Sequence, residues 1–134
     1  MNLQGHSGHE TVDYAAYALP EIIHKKLAHI LENDKEPAPS VISDVLTQVI
    51  SEFDDSLGNA LLELFPDKLA LMDMADDDVK NIINDEGCNS SIVLRCMRGA
   101  TALISITDPS KSNLWVASLG DSAAGVLVES CNPN

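Results

Sequence analysis

Residues 100–107 read Ala-Thr-Ala-Leu-Ile-Ser-Ile-Thr, and residues 113–119 read Asn-Leu-Trp-Val-Ala-Ser-Leu. Both runs are short; the first is rich in β-branched residues and the second contains Trp115 and Val116, which is typical of strands. The five residues between them, Asp-Pro-Ser-Lys-Ser, have the chemistry of a hairpin loop. This stretch therefore predicts two antiparallel strands, and Gly120-Asp121-Ser122 offers a second turn after them.

Two runs on either side have a similar composition. They are Ser91–Arg98 (SIVLRCMR) and Ala124–Glu129 (AGVLVE). We predict a strand in each, so that residues 88–134 form an antiparallel β-meander.

The preceding half is predicted to be helical. Apolar residues recur at helical spacing from Glu10 to Leu31, where Pro20 predicts either a kink or two abutting helices. After a turn-rich linker, Ser40 stands as an N-cap before a second apolar stripe that stops at Pro66. A shorter helix is predicted over residues 75–84.

These patterns together predict one α+β domain over residues 1–134. Residues 1–87 are mainly helical, and the helices pack on the meander formed by residues 88–134. A length of 134 residues suits a single domain.

Composition excludes several functional classes. With 45% hydrophobic residues the chain is not a disordered acidic tail, and its net charge of −13 argues against nucleic acid or an anionic membrane as a partner. No apolar run approaches the roughly 20 residues of a membrane span. The first ten residues also lack the apolar segment of a signal peptide.

The cysteines indicate a reducing compartment. Cys88, Cys96 and Cys131 form an odd set without CxxC spacing, so we expect neither a disulfide framework nor a zinc site. An intracellular protein is the corresponding expectation.

The predicted strands are apolar on both faces, because Ile104 and Ile106 alternate with Leu103 and Ser105. Helices can cover one face, and a second copy of the chain could cover the other, which predicts a homo-oligomer joined through a sheet face or edge. A two-layer sandwich with one solvated face is the alternative, and both remain open.

The candidate chemistry begins at the N-terminus, where Gln4-Gly5-His6-Ser7-Gly8-His9 leads into the first helix. Two histidines are too few for zinc, so a flexible polar terminus is the alternative reading. We expect His24 and His29 to be solvated helix residues. The acidic run at residues 76–78 lacks the EF-hand register and is interpreted as a solvated helix start.

Three segments, in this order, resemble the metal-dependent protein serine/threonine phosphatases of type 2C, and most of all the pyruvate dehydrogenase phosphatase-like branch. Gln4-Gly5-His6-Ser7-Gly8 is similar to the family's Asp-Gly-His-Gly-Gly stretch. Gly99-Ala100-Thr101-Ala102 is similar to its Gly-Ser/Ala-Thr-Ala strand. The run from Leu114 to Ala124 (LWVASLGDSAA) is similar to its Leu-Tyr-Val-Ala-Asn-Val-Gly-Asp-Ser-Arg-Ala segment. The resemblance covers essentially the whole chain, but only the front-to-middle part of the family's catalytic domain.

The resemblance implies a fold, a cofactor and a set of roles. The fold is part of an αββα sandwich, and the chemistry is phosphoester hydrolysis by a water bound to Mg²⁺ or Mn²⁺. By resemblance, Gly5 donates a backbone carbonyl to one metal, His6 is the general acid, and Asp121 helps to hold an additional, weaker metal. A phosphoprotein would be the substrate or partner.

Three departures from the family matter. Gln4 stands in place of the metal-bridging aspartate, and a neutral amide does not hold two dications together. The family's later Asp-Gly and Asp-Asn motifs and its upstream phosphate-binding arginine have no counterpart, and Ala123 stands where the family usually has arginine.

We therefore expect a truncated, catalytically impaired phosphatase homologue that binds Mg²⁺ or Mn²⁺ weakly or not at all and acts by binding or self-association. One alternative is an active phosphatase completed by a partner chain or by further sequence. The other is an acidic self-assembling module unrelated to phosphoryl chemistry. The N-terminus lacks the character of a mitochondrial transit peptide, which favours a cytoplasmic location.

Overall fold

In a computed structural model that describes residues 1–87 and 89–127, the chain forms five α-helices and one three-stranded antiparallel sheet. The elements in chain order are β1 (Asn2–His6), α1 (Glu10–Asn33), α2 (Pro39–Leu64), α3 (Lys68–Asp73), α4 (Asp76–Asn84), a 3₁₀ turn (Asp85–Gly87), α5 (Asn89–Met97), β2 (Gly99–Thr107) and β3 (Leu114–Leu119). The predicted α+β class is confirmed.

The two long helices follow the predicted apolar stripes. Helix α1 is a single helix with Pro20 inside it, and buried Leu19 and Ile23 on either side of the proline hold the same face against the core. Helix α2 begins one residue before the predicted N-cap Ser40, because Pro39 occupies the first helical position, where a proline loses no hydrogen bond.

The core lies between these two helices and the sheet. Its buried side chains come from α1, α2 and the central strand, and they are Ala15, Leu19, Ile23, Val45, Leu46, Val49, Phe53 and Ile104. Val49 is fully buried. Burial of this apolar surface is the main term that holds the helices on the sheet.

Strand β2 is central in the sheet, with β1 on one side and β3 on the other. Its Ile104 lies opposite Ala117 of β3 and faces the helices, on the side that we call the inner face. Alternation places Leu103, Leu114 and Val116 on the opposite side, which we call the outer face.

The predicted strand at Ser91–Arg98 is wrong, because these residues form most of α5 and its exit. Strand-favouring Ile92 and Val93 are overridden by tertiary packing, since α5 lies against α1, α2 and α4. The hydroxyl of buried Thr11 on α1 lies 2.9 Å from the Arg95 carbonyl oxygen and 3.1 Å from that of Arg98, and its single proton, shared between them, caps the exit of α5.

The strand predicted at Ala124–Glu129 is also wrong over its described part, since residues 124–127 form no strand. Residues 128 and 129 lie outside the described residues. The third strand is instead β1 at the N-terminus, which pairs antiparallel with β2 from Asn2↔Leu103 to His6↔Gly99. Residues 88–134 therefore do not form a continuous meander.

None of the helices in residues 1–87 and 89–127 combines the length and the hydropathy that crossing a bilayer requires.

Candidate functional site

The three segments that carry the phosphatase resemblance meet at one end of the sheet. Gln4 of β1 lies directly opposite Thr101 of β2, and Gly5 lies opposite Ala100. Because β2 also pairs with β3, Thr101 lies beside the residues that follow Leu119. The backbones of Gln4 and Gly120 are therefore about two strand spacings, or about 10 Å, apart.

Direct contacts hold the β3 exit against Thr101. The Ser122 hydroxyl donates to the Thr101 hydroxyl at 3.0 Å, and the Ser118 hydroxyl donates to the Ser122 carbonyl. Gly120 has a φ of +81°, and a Cβ there would lie 2.8 Å from the Thr101 methyl group. These contacts fix the backbone that carries Asp121.

A charged clamp holds the turn between β1 and α1. The Arg98 Nε lies 3.0 Å from the Glu10 carboxylate, and Arg98 Nη1 donates to the Ser7 carbonyl at 2.6 Å. Both charged side chains are largely shielded, at 29% and 20% exposure, so this pair is stronger than a surface ion pair. Ser7 itself has a φ of +64°, a conformation that favours glycine.

The clamp was not predicted from the sequence. Arg98 and Ser7 are 91 residues apart, and no local pattern joins them. The clamp follows from the order of elements. Because β1 pairs with β2, the helix that leads into β2 ends near the β1–α1 turn.

The predicted site residues lie at the same end of the sheet and are open to solvent. Gln4, His6 and Asp121 are all exposed. In residues 1–87 and 89–127 no three His, Cys, Asp or Glu side chains are grouped to hold a metal ion. The described residues therefore do not fit the carboxylate-rich centre that two Mg²⁺ or Mn²⁺ ions require.

The other candidate residues lie on solvated surfaces. His24 and His29 of α1 are exposed, as are all three aspartates at the start of α4. His9 pairs with Asp13 at 2.9 Å, but their side chains are 77% and 72% exposed. Such an open pair contributes little to stability and forms no enclosed site.

Of the three cysteines, Cys96 lies in the part of the chain that the structure describes. Its side chain is partly buried and packed. Its thiol contacts the Leu57 carbonyl at 3.0 Å. Burial raises the pKa of the Cys96 thiol, which disfavours the nucleophilic thiolate.

Comparison with protein-family models, with curated proteins and with solved structures finds no significant match to this chain. The α+β class rests on the structure, and the phosphatase resemblance rests on the three motif segments.

Proposed function

We propose that the chain is a catalytically impaired homologue of the metal-dependent type 2C protein phosphatases and acts by binding rather than by hydrolysis. The observation that carries the proposal is the meeting of Gln4, Thr101 and the Asp121 turn across three neighbouring strands. The three segments were singled out from the sequence, and the sheet brings them together although 97 residues separate Gln4 from Thr101.

Gln4 is the reason for expecting impaired catalysis. An amide oxygen is a weaker ligand than a carboxylate and supplies no charge to offset the repulsion between two dications. With Asp121 as the nearby carboxylate on the β3 side, we expect Mg²⁺ or Mn²⁺ to bind weakly. A phosphoprotein is the corresponding partner, bound without turnover.

The test compares Mn²⁺ binding and hydrolysis of p-nitrophenyl phosphate in three proteins: the wild type, Gln4→Asp and Asn2→Asp. Asn2 is a matched control, because it lies on the same strand and the same face as Gln4 and the substitution adds the same charge. We expect Gln4→Asp to bind Mn²⁺ roughly tenfold more tightly, a gain of about 1.4 kcal/mol, and Asn2→Asp to remain close to the wild type.

Two results would contradict the proposal. Equal Mn²⁺ affinity in the two variants would show that Gln4 does not occupy a metal position. Mn²⁺-dependent hydrolysis by the wild type that disappears in His6→Ala would show an active enzyme.

An active phosphatase completed by a partner chain or by further sequence is distinguished by complementation. A segment that supplies the family's later Asp-Gly and Asp-Asn motifs, fused or added in trans, should then produce metal-dependent turnover. No turnover with this segment, even in the Gln4→Asp variant, would favour the impaired homologue.

A second candidate function is self-assembly, and the outer face of the sheet favours it. Leu114 and Val116 on this face are 50% and 44% exposed, with Leu103 beside them half-buried. Their cross-strand neighbours Thr107 and Ser105 carry no charge that would oppose association. A second copy covering this face would provide the layer that the apolar strands lack.

Sedimentation velocity over a range of protein concentrations tests self-assembly. We expect a dimer or larger species that Val116→Lys converts to a monomer. Val41→Lys is the control, because Val41 is similarly exposed, at 38%, but lies on α2. A wild-type monomer at all concentrations would instead support the two-layer sandwich with one solvated face.

A further inference from the structure

A cavity of about 620 Å³ lies at the opposite end of the sheet from Gln4 and Asp121. It is bounded by the C-terminal part of α1, the linker to α2, the start of α2 and the β2–β3 hairpin, and we call it the hairpin cavity. Ile106, which lines it, is five residues along β2 from Thr101, or about 17 Å. The hairpin cavity is therefore separate from Gln4, Thr101 and Asp121, although Trp115, which lines it, lies at the start of the third phosphatase-like segment.

The walls of the hairpin cavity are mostly apolar. Leu27 and Leu31 of α1, Ile42 of α2, and Ile106 and Trp115 of the sheet line it. Leu31 is 41% exposed, which places it at the opening rather than in the core. The volume of the hairpin cavity lies within the range of about 300–1,000 Å³ that is usual for ligand sites, and the cavity has room for a bulky side chain.

Two polar groups of the hairpin, the Asp108 carboxylate and the Trp115 indole N–H, already have hydrogen-bond partners within the protein. The Asp108 carboxylate accepts hydrogen bonds from the backbone N–H groups of Ser112 and Asn113 and from the side chains of Asn113 and Ser110. The Trp115 indole N–H donates to the Pro39 carbonyl at 2.9 Å. These bonds fix the walls, and they leave apolar contact as the main attraction for an occupant.

The charge around the opening favours a basic occupant. Two acidic residues, Glu36 and Asp108, line the hairpin cavity with one basic residue, Lys35, and a second basic residue, Lys111, lies in the same hairpin loop. Hydrogen bonds from Asn113 hold the pKa of Asp108 below its ordinary value, so this carboxylate stays ionised at neutral pH. The net charge of −13 on the whole chain adds long-range attraction for a basic partner.

We propose that the hairpin cavity binds a polypeptide segment that inserts a bulky apolar side chain and carries lysine or arginine on both sides of it. The inserted side chain replaces water against Leu31, Ile106 and Trp115, which supplies the affinity. The flanking basic residues lie near Glu36 and Asp108, which sets the preference for a basic over an acidic segment. This binding does not depend on phosphatase chemistry.

The sole tryptophan of the chain makes the proposal directly testable, because Trp115 lines the cavity. The probe is the capped peptide Lys-Arg-Leu-Phe-Leu-Arg-Lys, titrated while Trp115 emission is recorded. We expect a saturable change in emission. The charge-matched peptide Lys-Arg-Ser-Gly-Ser-Arg-Lys and the acidic peptide Glu-Asp-Leu-Phe-Leu-Asp-Glu should each bind at least roughly tenfold more weakly.

A matched pair of variants locates the binding. Leu31→Ser removes apolar surface from the opening, whereas Leu62→Ser makes the same change at a similarly exposed position, 43%, that does not line the cavity. We expect Leu31→Ser to weaken peptide binding roughly tenfold and Leu62→Ser to leave it within about twofold of the wild type. Circular dichroism confirms that both variants keep their helix content.

Three outcomes would overturn the proposal. They are the absence of a saturable change with the basic apolar peptide, equal binding of the serine-containing or acidic peptide, and equal loss of binding in Leu31→Ser and Leu62→Ser. Weaker binding at higher salt with an unchanged order among the three peptides would support it, since only the charge contribution is screened.

Discussion

The position of Gly120 favours glycine for two reasons, a positive φ and a close contact that would leave no room for a Cβ. Its φ is +81°, and a Cβ would lie 2.8 Å from the Thr101 methyl group, on a side chain held within the sheet. We expect Gly120→Ala to lower the free energy of unfolding by about 1–3 kcal/mol, measured by urea denaturation. Part of this loss comes from the Ser122–Thr101 hydrogen bond, which the displaced turn would break.

The control for this substitution is a glycine whose replacement by alanine is expected to raise the free energy of unfolding rather than lower it. Gly58 lies inside α2, and a Cβ there would meet no atom within 4 Å. Gly58→Ala should raise the free energy of unfolding by about 0.5–1 kcal/mol, because alanine favours the helix. If both substitutions changed stability in the same direction, the argument from the Gly120 contact would be wrong.

Between elements, the hydroxyl of Thr11 is a buried polar link from α1 to the end of α5. It is buried, with 5% exposure, and it donates toward two carbonyl oxygens at the end of α5. Thr11→Val keeps the shape of the side chain but leaves those carbonyls without this donor. We expect a loss of about 1–3 kcal/mol in the free energy of unfolding.

Thr47→Val provides the comparison for Thr11→Val. The Thr47 hydroxyl also donates to a carbonyl, that of Ser43, but it does so on the exposed side of α2. Water can replace this bond, so the change should stay within about 0.5 kcal/mol. Equal effects of the two substitutions would show that the Thr11 bonds do not secure α5.

The β2–β3 hairpin contains a carboxylate whose protonation should alter stability. Hydrogen bonds from Asn113, Ser110 and Ser112 hold the pKa of Asp108 below its ordinary value. A lowered folded-state pKa means that stabilisation is present above the unfolded-state pKa, about 3.9, and is lost as the pH falls through the folded-state pKa. Asp108→Asn should therefore destabilise the hairpin at neutral pH, and its difference from the wild type should shrink below about pH 4.

Urea denaturation followed by Trp115 emission at pH 7 and pH 3 measures this difference. Asp55→Asn, at an exposed position on α2, is the comparison variant. A difference between Asp108→Asn and the wild type that is the same at both pH values would contradict the role assigned to the carboxylate.

The sequence predicts elements well where one periodicity dominates and poorly where packing decides. The stripes of α1 and α2 and the hairpin loop predicted at Asp108–Ser112 are local signals, and each is confirmed in type, although β3 begins one residue later than predicted, at Leu114. Ser91–Arg98 was predicted as a strand because a short apolar run looks alike in a buried helix and a strand. Strand β1 was missed because Leu3 is the one large apolar residue among its five, so it shows no alternating pattern and forms a strand through pairing with β2.

The candidate site was predictable only in part, because its geometry depends on long-range strand pairing that no local pattern shows. Gln4, Gly5, His6 and Asp121 were identified by resemblance, but their proximity depends on pairing between strands far apart in the chain. The clamp of Arg98 on Glu10 and Ser7 has no local signal at all. Residue identity suggested the chemistry, whereas long-range pairing determined the geometry.

Over the whole molecule, the excess of 21 acidic over 8 basic residues opposes compaction. Most carboxylates lie on exposed helices and turns, where salt screens their repulsion over a Debye length of about 10 Å at 0.1 M. We expect the thermal unfolding midpoint to rise between 20 and 500 mM NaCl by a few degrees, on the order of 1 kcal/mol.

Stabilisation by charge screening can be separated from stabilisation by a specific metal site, because the two depend differently on Gln4 and Asp121. At equal ionic strength, MnCl₂ should stabilise the wild type slightly more than NaCl does, because a dication screens carboxylates more strongly. Any Mn²⁺ held beside Asp121 in the wild type is bound weakly, so Asp121→Asn should change this increment only slightly. In Gln4→Asp, by contrast, we expect an added increment that Asp121→Asn removes, because stabilisation by a bound ion follows its affinity for the folded state. An Asp121-dependent increment in the wild type as large as that in Gln4→Asp would count against the proposal that Gln4 weakens metal binding.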